Sequence, residues 1–229
     1  MSSPSPKHRP SAAKGGRLKG EAFDKTCQRC PRLANFLTDV RADYPDYYGL
    51  PVPAFGQKKE PVLIVGLAPG LHGANATGRP FTGDHAGILL YETLHRYGFA
   101  SQAESRHRRD GLKLHGCRIT NAVKCLPPAN KPVGAEVNEC NTFLKRDLAD
   151  MASPGIVLAL GSIAHNAVLK AMDMKLSSVK FGHGALHTLS PELRLLDSYH
   201  CSRYNTNTKR LTEEMFNQIF EKLRTLVDG

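Results

Sequence analysis

The run Pro61-Val62-Leu63-Ile64-Val65 is followed by Gly66-Leu67-Ala68-Pro69-Gly70-Leu71-His72-Gly73-Ala74-Asn75-Ala76-Thr77-Gly78-Arg79-Pro80-Phe81-Thr82-Gly83-Asp84. Then comes Ala86-Gly87-Ile88-Leu89-Leu90-Tyr91-Glu92-Thr93-Leu94. The first segment reads as a buried strand and the last as a helix. A long Gly-rich loop therefore leaves the C-terminal end of a central strand, where α/β folds place ligands. Its five glycines let backbone amides approach a ligand without Cβ clashes. Between them sit His72, Asn75, Arg79, Phe81 and Asp84, a polar and aromatic set that a connector does not need. Most loops between elements run about 2–6 residues, so the length itself points to function. The loop lacks the G-x-G-x-x-G pattern and the Gly-Lys-Ser/Thr of a phosphate loop, which argues against a dinucleotide enzyme or a P-loop ATPase.

Outward from this loop, strands are expected at Val62–Val65, Arg118–Val123, Ile156–Leu160 and Leu193–Leu196. Helices are expected at Pro31–Asp43, about 85–97, 134–151, 161–172 and Thr212–Val227. Strands alternating with helices predict an α/β fold with a parallel sheet sandwiched by helices. Three strand ends then carry unusual loops: the Gly-rich loop, Cys125-Leu126-Pro127-Pro128-Ala129-Asn130-Lys131-Pro132, and Ser198-Tyr199-His200-Cys201-Ser202-Arg203-Tyr204-Asn205-Thr206-Asn207-Thr208. In a parallel sheet they share one edge, so their polar residues are expected to converge on one cleft.

The chain has 229 residues and a net charge of +10. Residues 1–20 hold Lys7, Arg9, Lys14, Arg17 and Lys19 and no acid. Rich in Ser, Pro and Gly, they read as a disordered basic tail ahead of one domain over 21–229. Further cations gather around Arg106, Arg108, Arg109, Lys113 and Arg118. A basic chain without a membrane-spanning run or a secretory h-region points to a polyanionic partner, nucleic acid first. The bland alternative is a solvated basic face with a solubilising tail.

Six cysteines occur, and without a secretion signal a disulfide framework is not expected. Cys27-Gln28-Arg29-Cys30 is a close pair, while Cys125 and Cys140 lie far downstream and 15 positions from each other. That spread suits an iron–sulfur cluster pinning the N-terminal segment to the core. Zinc and a redox C-x-x-C stay open on spacing alone. Cys117 and Cys201 read as small buried hydrophobes.

The Gly-rich loop, the Pro-Pro-Ala-Asn-Lys-Pro segment and the Ser-Tyr-His-Cys-Ser-Arg-Tyr-Asn-Thr-Asn-Thr segment together resemble the family 5, or type b, uracil-DNA glycosylases. The resemblance covers nearly everything after residue 20. It implies the three-layer α/β/α sandwich of that superfamily, and a 4Fe–4S cluster on Cys27, Cys30, Cys125 and Cys140. It also implies excision of uracil and of other deaminated bases such as hypoxanthine from duplex DNA. By position, Asp84 matches the family's catalytic acid, Asn130 its active-site asparagine and His200 its C-terminal motif histidine. Gly70 stands where this family lacks a polar residue and the sister family 4 has an acid. Two positions depart from the pattern. Ala76 replaces a usual Arg, which removes a phosphate or loop contact. Asn121 replaces a frequent Ala near where other branches of the superfamily place a uracil-reading Asn, which points to selectivity shifted toward uracil.

On this reading Asp84 orients or deprotonates water and stabilises an oxocarbenium-like sugar, while His200 hydrogen-bonds the departing base. Phe81 stacks on the flipped base, with Gly70 and Asn121 at its edge. Arg203 and Tyr204, with Asn205 beside them, enter the duplex, one on phosphate and one as a wedge. Each residue also has an ordinary use: Asp84 as a helix N-cap, His200 as a structural histidine, Asn130 as a turn residue and Phe81 as core. No lysine nucleophile is evident, so no lyase step is expected. A monomer acting in the cytoplasm on the nucleoid is expected if the source is prokaryotic. The rival from another class is a non-enzymatic nucleic-acid-binding protein with a four-cysteine metal staple.

Overall fold

Val62–Gly66 (β1) is buried at every position, as a strand covered on both faces must be. It pairs in parallel with Cys117–Asn121 (β2) on one side and Gly155–Leu160 (β3) on the other. Beyond β3 lies Leu193–Ser198 (β5), also parallel, and then Leu186–Ser190 (β4), antiparallel at the edge. The sheet order is β2-β1-β3-β5-β4. These relations come from a computed structural model that describes residues 20–229. The basic tail expected over 1–20 therefore lies, except for Gly20, outside the described residues.

Alternation along each strand sends side chains to two separate cores. Leu63, Val65, Val157, Ala159 and Leu195 face one cluster with Leu33 and Leu37 of Pro31–Asp43 (α1), Phe143 and Leu144 of Gly134–Ala149 (α4), and Val168 of Ser162–Ala171 (α5). Val62, Ile64, Ile119, Leu158 and Leu196 face the other, with Leu90 and Leu94 of His85–Arg96 (α3) and Phe216 and Phe220 of Glu213–Asp228 (α7). The result is the expected three-layer α/β/α sandwich. Among the described residues no helix is long and apolar enough to cross a membrane.

The expected strands and helices stand within a few residues of their predicted ends. The second strand stops at Asn121 instead of Val123. Ala122 and Val123 leave the strand while still donating to the carbonyls of Gly66 and Leu67. Four elements have no counterpart in the sequence reading, among them a single 3-10 turn over Pro128–Asn130 in the Pro-rich loop. β4 escaped because its burial is broken, with Leu186 and Thr188 exposed, so it shows no apolar run. Ala74–Thr77 (α2) and Arg203–Asn207 (α6) are single helical turns inside polar loops, too short for a hydrophobic period to register.

Candidate active site

The loops that leave β1, β2, β3 and β5 at their C-terminal ends meet around a cleft of about 700 Å³. Gly70, Asp84, Asn130, His200, Arg203 and Asn205 all line it. Residues from four separate stretches of chain thus converge as the parallel topology requires.

Asp84 closes the Gly-rich loop and is the N-cap of α3, its Oδ1 accepting the Gly87 N–H at 2.9 Å. The other oxygen, Oδ2, faces the loop backbone. A Cβ on Gly73 would stand 2.5 Å from it, and one on Gly70 3.5 Å. One carboxylate therefore serves as a cap with one oxygen and keeps the second turned toward the loop. Burial pushes the Asp84 carboxyl above its usual range, against the cap hydrogen bond that pulls it down.

His200 follows β5. Its backbone carbonyl accepts from Asn205 Nδ2 at 2.8 Å, and its ring stacks on Phe81 with centroids 5.9 Å apart. The residue reaches the cleft while its Nδ1 is buried with no hydrogen-bond partner. Burial pulls its pKa down to about 4, so the imidazole is neutral at physiological pH. Asn130 and the preceding Ala129 both sit at positive φ, 56° and 53°, which exposes Asn130 at the cleft between Pro128 and Pro132. Asn tolerates that conformation better than most side chains.

Other expected site residues fall outside the cleft lining. Phe81 is buried, at positive φ (54°), and packs over Gly66 behind His200. Asn121, at the end of β2, is buried with its Oδ1 unpartnered and abuts Gly66, where a Cβ would overlap both Asn121 and Phe81. Tyr204 on α6 is 71% exposed. It projects from the same turn whose first residue, Arg203, does line the cleft. Sequence reasoning missed Phe181, Tyr199, Ser162 and Arg210, all on the cleft wall. Arg210 lies over the Tyr199 ring at 4.8 Å. Tyr199 and Arg210 sit in or just after the singled-out polar loop and could have been noticed there. Phe181 precedes the unrecognised β4 and gave no signal.

The four singled-out cysteines also come together. Cys30 caps α1, Cys125 follows β2 and Cys140 lies on α4. With Cys27 they line a small gap shared with Arg29, Glu139 and Phe143. The Lys124 N–H donates to Cys140 Sγ at 3.4 Å. Burial, then the neighbouring thiols, pushes Cys30 up to about 11, and burial pushes Cys125 and Cys140 up as well. Such thiols stay protonated unless a cation compensates the thiolates. No three of their sulfurs lie within 4.8 Å of one another. Cys117 and Cys201 are buried elsewhere in the other core layer.

The sequence profile of the uracil DNA glycosylase superfamily matches residues 53–224, which span all four cleft loops. The chain belongs to that superfamily. Among its relatives is a type-5 uracil-DNA glycosylase of Thermus thermophilus, 42% identical over 214 residues, or 90% of this chain and 97% of that protein. Another is the type-5 uracil-DNA glycosylase of Pyrobaculum aerophilum, 38% identical over 86% of this chain and 87% of that protein. A type-4 uracil-DNA glycosylase of Saccharolobus solfataricus is 29% identical over 87% of this chain and 82% of that protein. The higher identity to the type-5 proteins agrees with Gly70, and the chain is a member of the type-5 family.

Proposed function

We propose that this protein is a monofunctional uracil-DNA glycosylase that hydrolyses the N-glycosidic bond of uracil, and of other deaminated bases such as hypoxanthine, in duplex DNA. The observation that carries this reading is the meeting of Asp84, Asn130 and neutral His200 in one cleft rimmed by Arg203 and Arg210. The target base must leave the stack to reach such a cleft, at a cost of a few kcal/mol that is least for a mismatched base. As the C1′–N bond breaks, its electron pair passes to the base and positive charge grows on the sugar. The Asp84 Oδ2 side supplies negative charge to that cation and a base for the attacking water. The water oxygen bonds C1′, and its proton leaves through the carboxylate to solvent. A raised carboxyl pKa brings the base nearer to the operating pH, which favours this task. His200, neutral, donates a hydrogen bond to the base where negative charge builds, without first needing a proton from solvent. Asn130 holds the base or the water, and Arg203 holds backbone phosphate.

Cys27, Cys30, Cys125 and Cys140 would hold a 4Fe–4S cluster. A single zinc would draw four sulfurs to about 2.3 Å from itself and so to roughly 3.8 Å from one another. The wider spacing of the sulfurs here favours a larger, multi-metal group. That group supplies a staple between the N-terminal segment, the loop after β2 and α4. In this proposal residues 21–229 form one domain acting as a monomer, and residues 1–20 are a basic DNA-attracting tail. The deciding experiment is single-turnover incubation of the anaerobically purified protein with duplexes carrying uracil or hypoxanthine opposite guanine or thymine. Abasic product from uracil is expected, and its absence with intact DNA binding would leave only a binding protein.

A further inference from the structure

Outside the catalytic set, two histidines from two elements face one buried carboxylate on a third. Asp197 on β5 is 0% exposed. His165 Nδ1, from α5, lies 2.8 Å from its Oδ1, and His187 Nε2, from β4, lies 3.1 Å from its Oδ2. The Gly182 N–H donates to the same Oδ2 at 3.3 Å. The three donor atoms lie within 4.8 Å of one another, and no other group of His, Cys, Asp and Glu among the described residues does so. Phe181 stands edge-on to His165 at 5.7 Å and gives the cluster an apolar wall.

Hydrogen bonding alone leaves this arrangement incomplete. A fully buried carboxylate needs compensating positive charge. Among the described residues the ion-pair partners of Asp197 are these two imidazoles, which are charged only when protonated. His165 Nε2, the ring nitrogen turned away from Asp197, is also buried with no partner, so the Nδ1 contact with Asp197 is the only polar contact this ring makes. Two imidazoles and a carboxylate in a shielded site are the donor set of a borderline divalent ion such as zinc. Ligands about 2.0–2.1 Å from such an ion stand roughly 3.3 Å apart. With the carboxylate bidentate, its separations of 2.8 and 3.1 Å from the two imidazole nitrogens would open by a few tenths of an ångström, and the two nitrogens, which lie within 4.8 Å of each other, would close on the ion.

We propose that His165, His187 and Asp197 bind one divalent transition ion of the zinc class, with water completing the coordination on the His187 side. His187 is 15% exposed at its side chain, whereas the other two are closed off. Binding releases to solvent any proton held on the facing nitrogens. The ion ties edge strand β4 to β5 and α5, and holds the segment that carries Phe181 and Tyr199 into the cleft wall. β4 otherwise offers the sheet an irregular, largely exposed edge. This site is independent of the glycosylase reading and of the cysteine set.

The test uses the full chain, purified anaerobically, loaded with zinc chloride and desalted. Zinc, iron and sulfide are then quantified, and the zinc-edge X-ray absorption is recorded. One retained zinc per chain with a nitrogen and oxygen shell is expected. His187→Gln should cut retained zinc at least roughly tenfold with iron and sulfide unchanged. Asp197→Asn should do the same if it folds, and the part-exposed His187 position carries the test if it does not. Absence of retained zinc, a sulfur shell around it, or wild-type retention in His187→Gln would each overturn the proposal.

Discussion

Asp84 uses its two oxygens differently, and that division predicts the behaviour of its variants. Asp84→Asn keeps a good N-cap and removes the charge that burial disfavours. Single-turnover uracil release should slow by at least roughly 10²-fold, within the range for loss of a general base. Binding to an abasic duplex should change little, because phosphate contacts dominate affinity. The melting temperature should not fall, since the carboxyl's raised pKa means that its ionised form costs stability in the folded state. A near wild-type rate would reduce Asp84 to a cap. His200 predicts a pH effect of definite sign. Its folded pKa of about 4 lies below the usual value of 6.5, so between these limits the unfolded chain takes up a proton that the folded chain refuses. Stability should drop as pH falls from about 6.5 to about 4. Thermal melts across that window should show His200→Asn with a shallower slope, by up to one proton. Asp84, Asn130 and His200 were legible as candidates because each sits in a polar loop that no connector requires. The neutral state of His200 was not, because it follows from burial by residues distant in the chain.

At the scale of elements, the Gly-rich loop is shaped by close approaches more than by flexibility. Gly73 has no room for a side chain beside Asp84 Oδ2, whereas a methyl on Gly70 would make an ordinary contact at 3.5 Å. Gly73→Ala should therefore slow base release by roughly 10²-fold through displacement of the carboxylate. Gly70→Ala should fold with an unchanged Asp84 position. A crystal structure of each variant, beside its single-turnover rate, checks the pair, and equal effects of the two would show that the fit around Oδ2 is not what matters. The central strands and the long helices could be read from hydrophobic period, since each buries a full face. β4, α2 and α6 could not. β4 is held by its ladder to β5, and α6 by the Ser202 cap and Asn205, interactions that leave no periodic trace.

For the molecule as a whole, the four cysteines lie on three stretches of chain, two of which the Arg32–Glu136 and Arg29–Glu139 ion pairs also bridge, and the proposed cluster would add a covalent staple to all three. Protein purified anaerobically should be brown and contain iron and sulfide, and Cys140→Ser should lose both and melt at lower temperature. Cys117→Ser and Cys201→Ser should keep them. Stoichiometric zinc with a four-sulfur shell in colourless protein would refute the cluster. The basic tail makes a separate prediction about charge. Removing residues 1–20 takes away five cations. DNA affinity should weaken and its dependence on salt flatten, while cleavage at saturating enzyme stays unchanged. Measuring affinity at several salt concentrations with and without the tail tests this.

The linear sequence determined which segments become strands and helices, because apolar period is a local property that burial only reinforces. It also determined the donor chemistry: a carboxylate and a histidine in loops at strand ends, and cysteines spaced too unevenly for two close pairs. The tertiary structure alone decided what stands beside what. Parallel strand order carries four loops to one edge and so makes one cleft of residues as distant as Gly70 and Arg210. It places Phe81 behind His200, shields a nitrogen and so sets a pKa, and gathers His165 and His187 around the Asp197 carboxylate. Desolvation and coordination depend on distances through space, and residues 32 positions apart, as His165 and Asp197 are, carry no sign of them in sequence.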